Sequence, residues 1–231
     1  MKIETRCVEA QMGEGKTNTA TAIMIDDYFA HIKAIVSPEG RRFPVEPYRL
    51  NTVKLLPLPG HENEESKLIK VPSNYATESD CKLFVNYHLY GVKYLLCDPM
   101  TMLQLLNTGI ISSGKMIIDE AYISGEARRG MNSLSLIYTW FAQQMRKRDI
   151  ELYLLVQHGR FIDWRFRYIA KQKILCRYNE KTHKIKLLVQ NLSKGTEKVI
   201  SYYAPQYWPY FDTNELPPIP EKMLMKGAQW A

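Results

Sequence analysis

The most constraining feature of the sequence is the octapeptide Ala10–Thr17, which reads Ala-Gln-Met-Gly-Glu-Gly-Lys-Thr. It fits the pattern Ala/Gly-x-x-x-x-Gly-Lys-Ser/Thr, typical of a loop whose backbone N–H groups surround a phosphate. Gly13 and Gly15 lack a Cβ, so the backbone can take a positive φ and approach an anion closely. The Lys16 ammonium would lie between the β- and γ-phosphates. The Thr17 hydroxyl would bind Mg²⁺ at the start of a helix whose positive end faces the anion.

The residues around this octapeptide follow the order that a phosphate loop requires. Ile3 to Val8 can form a short strand into the loop, and Ala20, Ile23, Met24 and Tyr28 recur at helical spacing after it. The alternative is a glycine-rich turn before an ordinary amphipathic helix, and the strand–loop–helix order favours the nucleotide site. The expected nucleotide-binding residues are Gln11, Met12, Gly13, Glu14, Gly15, Lys16, Thr17 and Asn18.

Length and charge limit the class of protein. A chain of 231 residues with 45% hydrophobic residues suits one α/β domain. The net charge is +7, and the stretch from Ser124 to Lys186 is strongly basic whereas the rest of the chain is close to neutral. A basic region of this kind fits a polyanionic partner, although a solvated surface explains the charge alone equally well.

The four cysteines, Cys7, Cys81, Cys97 and Cys176, have no C-x-x-C spacing and therefore no zinc signature. Cys7, Cys97 and Cys176 lie in apolar segments, and we interpret them as small buried hydrophobic residues in a reducing compartment. No apolar run approaches the roughly 18 residues that span a bilayer, and the N-terminus lacks a signal-peptide core. We expect a protein without a membrane span that works inside a cell.

Buried strands alternate with helices along the chain, which predicts an α/β fold with a mainly parallel sheet flanked by helices. The predicted strands include Ala34–Val36, Val92–Cys97, Lys115–Ile118, Leu152–Val156 and Lys173–Cys176. The predicted helices are a segment from Glu78 that ends at Gly91, a segment from Asp98 to Asn107, and Met131–Lys147.

We expect one domain over residues 1–231, with two regions that depart from this alternation. Residues from about 38 to 77 contain many prolines and predict an irregular insertion with one or two short strands, such as Val53–Leu56. Residues from about 183 to 231 predict a C-terminal hairpin and tail, because Lys184–Gln190 and Lys198–Tyr203 alternate around Ser193–Gly195.

A second chemical signal is the segment Lys115–Glu120, an apolar strand followed by two adjacent carboxylates. Open α/β sheets bind ligands at the C-terminal edge of their strands, where Asp119 and Glu120 would lie. Asp119 is placed to hold Mg²⁺, directly or through water. Glu120 is placed to orient and deprotonate a water that attacks a γ-phosphate. The alternative, a helix N-terminus capped by acidic residues, is weakened by the phosphate loop earlier in the chain.

A third signal is Gln157, a single polar amide at the end of the buried strand Leu152–Val156. It would lie beside Asp119 at the same sheet edge and contact the γ-phosphate or the attacking water. The alternative is a strand-end glutamine that bonds a loop backbone. His158 follows it and is assigned no role.

Phosphoryl transfer also uses an arginine, often from a neighbouring subunit, to stabilise charge on the γ-phosphate. We rank Arg165 and Arg167 first and Arg146 after them. The other candidates are Arg128, Arg129 and Arg148. The remaining basic side chains of this region would contact a nucleic-acid backbone or only solvent, and they are Lys147, Arg160, Lys171 and Lys173.

The order of these motifs resembles the FtsK–HerA group of DNA-translocating ATPases. It combines the phosphate loop, the apolar strand with Asp119-Glu120, the strand ending in Gln157, and Ile-Asp-x-Arg-x-Arg at Ile162–Arg167. The likeness is greatest to small viral members, the genome-packaging ATPases of tailless, membrane-containing icosahedral viruses, including turreted archaeal viruses, and the Zot-like proteins of filamentous phages. It extends from Lys2 to about Glu215 and includes Tyr210–Glu215.

The resemblance implies a RecA-like P-loop NTPase core of the additional-strand (ASCE) type, and ATP-driven translocation of double-stranded DNA with ATP and Mg²⁺ as ligands. It assigns Lys16 and Thr17 to the nucleotide, Asp119 to the metal, Glu120 to the base and Gln157 to the sensor. The implied partners are double-stranded DNA, further copies in a ring (a hexamer or pentamer), and a capsid or membrane protein at a packaging vertex. The resemblance implies two locations, the host cytoplasm and a capsid vertex of the virion.

Ala10 replaces the glycine that many members have, which the wider pattern tolerates, and the lack of a membrane helix favours packaging over extrusion. The alternatives are a Zot-like assembly or extrusion ATPase, or a conjugation-type DNA pump. An alternative of another class is a nucleotide-dependent switch that binds DNA or a capsid protein without hydrolysis.

Overall fold

The structure is a computed structural model. It describes residues 5–31, 34–38, 42–44, 50–55, 67–72, 83–96, 101, 104–105, 114–121, 150–162 and 164–212. The strands of this part of the chain, β1 to β12 in order, are Thr5–Glu9, Ala34–Val36, Arg42–Pro44, Leu50–Leu55, Lys67–Pro72, Leu83–Val85, Leu95–Leu96, Gly114–Ile118, Ile150–Val156, Ala170–Asn179, Lys184–Asn191 and Thr196–Tyr203. The helices are α1, Lys16–His31, and α2, Trp164–Ile169, with 3-10 turns at Gly159–Phe161 and Ala204–Tyr210.

Eight of these strands form one sheet in the order β12-β11-β10-β1-β9-β8-β6-β7. All pairs from β10 to β7 are parallel, whereas β10–β11 and β11–β12 are antiparallel. The mainly parallel sheet and the C-terminal β-hairpin that the sequence predicts are therefore confirmed. β1 lies at the centre, so the loop that follows it opens at the middle of the carboxyl edge.

Helix α1 covers one face of the sheet. Its Met24, Ile25 and Tyr28 are buried in a cluster with Val8 of β1 and Tyr153 of β9. These apolar side chains recur three to four residues apart on the helix and face the alternate inward positions of the strands. The burial fixes the direction of α1, and with it the position of the phosphate loop at its N-terminus.

Helix α2 lies near the other face. It contacts β1, and the positive charge of Arg167 acts on Cys7. Cys7 points away from the α1 side because neighbouring side chains of a strand alternate between faces. Burial raises the pKa of Cys7 to about 12 and that of Cys176 to about 11. Both thiols are buried and free, as predicted, whereas Cys81 and Cys97 lie outside the described residues.

The predicted helix from Glu78 to Gly91 is wrong. Its central residues, Leu83–Val85, form β6 between β7 and β8. All three side chains are fully buried, because an interior strand of a parallel sheet is covered on both faces and is apolar throughout. So short an apolar run cannot be distinguished from one side of a helix by periodicity.

Other predictions differ in extent. Of the predicted strand Val92–Cys97, residues 92–96 are described, and among these Leu95 and Leu96 alone form a strand. Of the segment from Asp98, residues 101, 104 and 105 are described, and they are helical. The predicted helix Met131–Lys147 lies outside the described residues. The insertion is more regular than predicted, because β2 pairs with β3 and β4 with β5 in two antiparallel ribbons.

The 3-10 turn Ala204–Tyr210 returns the chain to α1. Tyr207 donates a hydrogen bond of 2.6 Å to Asp26 Oδ2, and Tyr207 and Tyr210 are buried in the α1 cluster. Residues 213–231 lie outside the described part of the chain. Within the described part, no helix is both long enough and apolar enough to cross a membrane.

Candidate nucleotide site

The loop between β1 and α1 has the geometry of a phosphate loop. Gly13 and Gly15 have φ angles of 78° and 88°, values that favour glycine. The Glu14 N–H donates to the Gln11 carbonyl at 3.2 Å, and the Ala10 N–H donates to the Val156 carbonyl at 3.2 Å. The loop is thereby tied to the end of β9, and α1 begins directly after it at Lys16.

The residues of this loop are closely packed at Gly15. A Cβ at this position would lie 2.5 Å from Ile185 Cδ1 and 3.1 Å from its Cγ1. Ile185 belongs to β11 and is 1% exposed. A Cβ at Gly13 would meet nothing within 4 Å. The chain therefore requires glycine at position 15 for space as well as for backbone conformation.

The phosphate loop and the acidic pair meet in space. The Thr17 hydroxyl donates a hydrogen bond of 2.6 Å to Asp119 Oδ2, across 102 residues of sequence. The Glu120 N–H donates to Asp119 Oδ1 at 2.8 Å. Burial raises the pKa of Asp119, and these two hydrogen bonds and the charge of Lys16 oppose that rise. The predicted convergence of Lys16, Thr17 and Asp119 is thus observed.

The donor atoms at this point fit Mg²⁺. The Thr17 hydroxyl and the Asp119 carboxylate supply two adjacent oxygens, and Mg²⁺ prefers oxygen ligands, usually one or two carboxylates completed by substrate phosphates and water. Burial leaves the Asp119 charge poorly solvated, which a cation would relieve. Within the described residues, no three His, Cys, Asp or Glu side chains are grouped so that they could hold a metal ion.

Glu120 has a φ of 51°. This left-handed conformation is uncommon for residues other than glycine and costs about 1–3 kcal/mol, and such strain concentrates at functional sites. The turn carries the chain sharply away from β8 directly after Asp119. It places the Glu120 N–H against the Asp119 carboxylate.

Gln157 follows β9 at the same sheet edge and is half-buried. The register of β9 pairs Val156 with Glu9 of β1 and Leu154 with Ile118 of β8. Gln157 therefore lies between the start of the phosphate loop and the Asp119 turn. Its role as a sensor stays a prediction.

Among the candidate arginines, the structure describes the side chain of Arg167 alone. Arg167 is exposed on α2, and Arg165 lies in the same helix with a side chain outside the described residues. Arg146 lies outside the described part, as do Arg128, Arg129 and Arg148. The arginine role stays a prediction.

Asn86 is a site residue that the sequence analysis missed. It is buried directly after β6. Its Nδ2 donates to the Asp119 carbonyl at 2.9 Å, and its Oδ1 accepts from the Asp119 N–H at 2.7 Å. The amide thus bonds both the N–H and the C=O of Asp119. The wrong helix assignment hid it, since a polar residue at the end of a buried strand is the signal that identified Gln157.

We expect Asn86→Ala to lower the free energy of unfolding by about 2 kcal/mol, because it leaves the buried N–H and C=O of Asp119 without their partner. Denaturant titration measures the change. The matched control is Asn191→Ala, whose side chain also bonds backbone N–H groups, at Ser193 and Lys194, but in an exposed turn. Equal losses in the two variants would contradict the assigned role of Asn86.

Glu9 is a second residue that the sequence analysis missed. Its Oε2 lies 2.9 Å from Lys173 Nζ, and its Oε1 lies 3.8 Å from His158 Nδ1. A Cβ on Gly159 would lie 3.0 Å from Oε2. The carboxylate therefore packs closely against the segment after Gln157. Lys173, a candidate for contacts to a nucleic-acid backbone, forms an ion pair with Glu9.

The C-terminal hairpin forms a wall of the site. The Tyr178 N–H donates to Glu14 Oε2 at 2.8 Å, and the Tyr202 hydroxyl donates to Asn18 Oδ1 at 2.8 Å. Asn18 Nδ2 in turn donates to the Ala204 carbonyl at 3.2 Å. Three residues on or after the phosphate loop, Glu14, Gly15 and Asn18, thus contact β10, β11 or the segment after β12.

Comparison with known proteins gives the same fold. No family model and no curated protein matches the chain. The N-terminal domain of zonular occludens toxin from Neisseria meningitidis superposes with a TM-score of 0.56 at 14% identity, over 92% of this chain and 100% of that domain. Together with the phosphate loop at the centre of a parallel sheet and the Thr17–Asp119 contact, this decides the fold.

The chain has a RecA-like P-loop fold. Two further solved structures resemble this chain at lower scores. The genome packaging NTPase B204 from Sulfolobus turreted icosahedral virus 2, in complex with ATP-gammaS, has a TM-score of 0.48 at 8% identity over 86% of this chain and 97% of that one. A KaiC-like protein from Pyrococcus horikoshii OT3 has a TM-score of 0.42 at 11% identity, over 86% and 83%.

Proposed function

We propose that this protein hydrolyses ATP and uses the free energy to move double-stranded DNA, as the motor that packages a viral genome into a preformed capsid. The observation that carries the proposal is the meeting of the phosphate loop with Asp119 and Glu120, through the 2.6 Å Thr17–Asp119 contact. That arrangement supports nucleotide hydrolysis. The order of motifs, which resembles DNA-translocating ATPases, supports the DNA substrate.

Each part of the site has one task in the proposed reaction. The N–H groups of the loop and the Lys16 ammonium bind the β- and γ-phosphates of ATP. Thr17 and Asp119 hold Mg²⁺, which when bound neutralises charge on the phosphates. Gln157 contacts the γ-phosphate or the attacking water.

Glu120 acts on the water. It orients one water in line with the γ-phosphorus and accepts a proton as the new P–O bond forms. The bond from the γ-phosphorus to the β–γ bridging oxygen breaks, and ADP keeps that electron pair. An arginine, with Arg165, Arg167 and Arg146 as candidates, would stabilise the charge that develops on the γ-oxygens.

The proposed partners follow from charge and from the resemblance. Arg160 and Arg167 are exposed and could contact a phosphate backbone without reading bases. We propose self-association into a ring of five or six copies, contact with a capsid or membrane protein at a packaging vertex, and action in the host cytoplasm or at that vertex.

A second candidate function is an assembly or extrusion ATPase of the Zot type. The similarity to the zonular occludens toxin domain, which covers nearly all of this chain, favours it. Transfer of DNA into preformed capsids would distinguish the packaging motor from it.

The test is the ATP hydrolysis rate with and without double-stranded DNA. We expect DNA to raise the rate of the wild-type chain, and Lys16→Ala to abolish hydrolysis in both conditions. Binding to DNA should weaken steeply as salt rises, because backbone charge dominates the contact. Lys194→Ala, an exposed lysine in the hairpin turn, is the matched control and should keep full activity. Hydrolysis that DNA does not stimulate would contradict a translocase.

A further inference from the structure

The groups that act on the γ-phosphate all lie on one side of β1, and this arrangement indicates where the base of a bound nucleotide lies. Asp119 follows β8 and Gln157 follows β9, and both strands lie on one side of β1 in the sheet. If the proposed hydrolysis is correct, the γ-phosphate lies on that side, because these groups act on it. A nucleotide that crosses the phosphate loop from that side would place its base on the opposite side of β1, next to β10 and β11.

Three aromatic rings lie together on that side, and we call Tyr178, His183 and Trp208 the aromatic corner. Tyr178 is near the end of β10, His183 immediately precedes β11, and Trp208 is in the 3-10 turn after β12. The Tyr178 hydroxyl and His183 Nδ1 are 2.8 Å apart. The His183 and Trp208 rings meet edge to face with centroids 6.1 Å apart.

Hydrogen bonds tie the aromatic corner to the phosphate loop. The Tyr178 N–H donates to the Glu14 carboxylate at 2.8 Å. The Ala204 N–H donates to the His183 carbonyl at 2.9 Å, and the Ala204 carbonyl accepts from Asn18 at 3.2 Å. Asn18 directly follows Thr17. Ala204 therefore links His183 to Asn18, which lies in the first turn of α1 directly after the phosphate loop.

The corner is open to solvent. Trp208 is 45% exposed, and His183 is exposed as well. The phenol ring of Tyr178 is half-buried against the core and holds the imidazole through its hydroxyl. A partly exposed indole beside an imidazole that the Tyr178 hydroxyl holds is suited to stack on a flat heterocycle, and stacking tolerates different bases because each has a π-face.

We propose that the aromatic corner binds the base of the nucleotide, with Trp208 as the principal stacking surface. The ligand class is a purine nucleoside triphosphate, recognised through stacking on its base and through the phosphate loop on its phosphates. ATP and GTP should therefore bind with affinities within a few fold of each other.

The test compares ATP with inorganic tripolyphosphate, which has the phosphates but no base. Calorimetry in a Glu120→Gln background, which prevents turnover, gives both affinities. We expect Trp208→Ala to weaken ATP about tenfold, consistent with the worth of one stacked base, and to leave tripolyphosphate unchanged. Trp208→Phe should recover most of the ATP affinity. Trp164→Ala is the matched control, because Trp164 is 60% exposed on α2.

A second readout is energy transfer from tryptophan to an ATP that carries a fluorescent ribose label. Trp208→Phe should remove most of the transfer, and Trp164→Phe should preserve it. Equal ATP affinity in the wild type and Trp208→Ala, or parallel loss of ATP and tripolyphosphate affinity, would overturn this inference alone. A wild-type chain that binds neither ligand would overturn the proposed function, and this inference with it.

Discussion

Replacing Glu120 with glutamine is expected to slow ATP hydrolysis by at least about a hundredfold, the usual contribution of a general base. Glutamine keeps the shape of the side chain but cannot accept the proton from the attacking water. ATP affinity should change by less than about twofold, because the loop, Lys16 and the Thr17–Asp119 pair that bind the phosphates are untouched. Phosphate release and equilibrium binding of ATP measure the two effects separately.

The control for this variant is Glu197→Gln, which makes the same chemical change at an exposed glutamate of β12 and should leave the rate unaltered. Hydrolysis by Glu120→Gln at the wild-type rate would remove Glu120 from the reaction. If the wild type binds ATP without releasing phosphate, the chain is a nucleotide-dependent switch instead of a motor.

Replacing Gly15 with alanine is expected to be severely destabilising, by about 2–5 kcal/mol. The φ of 88° is strained for any residue with a Cβ, at about 1–2 kcal/mol. The added methyl group also meets Ile185 Cδ1 at 2.5 Å, and overpacking adds about 1–3 kcal/mol. Ile185 is buried, so relief of this clash requires its Cδ1 to rotate against packed neighbours, or β11 or the phosphate loop to shift. We expect loss of ATP binding along with the loss of stability.

Two other glycines allow the cost of the backbone conformation to be measured apart from the cost of the steric clash. Gly195 has a φ of 63° and Gly13 a φ of 78°, and a Cβ at either meets nothing within 4 Å. Gly195→Ala should therefore cost only the conformational part, about 1 kcal/mol, and leave ATP binding intact. Gly13→Ala should cost the same stability within the phosphate loop. Urea titration of the three variants measures these costs, and equal values would show that the Ile185 contact is unimportant.

Local sequence was sufficient to predict those parts of the fold and site that a motif or period within a few residues encodes. The loop Ala10–Thr17, the strand that ends in Asp119-Glu120 and the alternating strands of the hairpin each have a period or motif of their own. Their meeting at one edge followed from a general rule of parallel sheets. That is why the Thr17–Asp119 contact was predictable across 102 residues.

Local sequence failed where the tertiary environment decides. Leu83–Val85 has the same apolar character in a helix as in an interior strand, and its pairing with strands on both sides together with burial of its side chains settled the outcome. The part that Asn86 plays depends on β6 lying beside β8, which no spacing encodes. The contacts of Tyr178, Ile185 and Tyr202 with the phosphate loop likewise arise from packing of distant segments.

Strand β10 connects the phosphate-loop strand to the C-terminal hairpin, since it pairs with β1 on one side and with β11 on the other. Tension applied to the hairpin would therefore travel along hydrogen-bonded strands to the loop that grips the triphosphate. The force would also reach the loop directly, through the contact of Ile185 with Gly15 and the hydrogen bond from Tyr178 to Glu14. A mechanical load on the hairpin would therefore displace the phosphate loop and change the affinity of the protein for nucleotide.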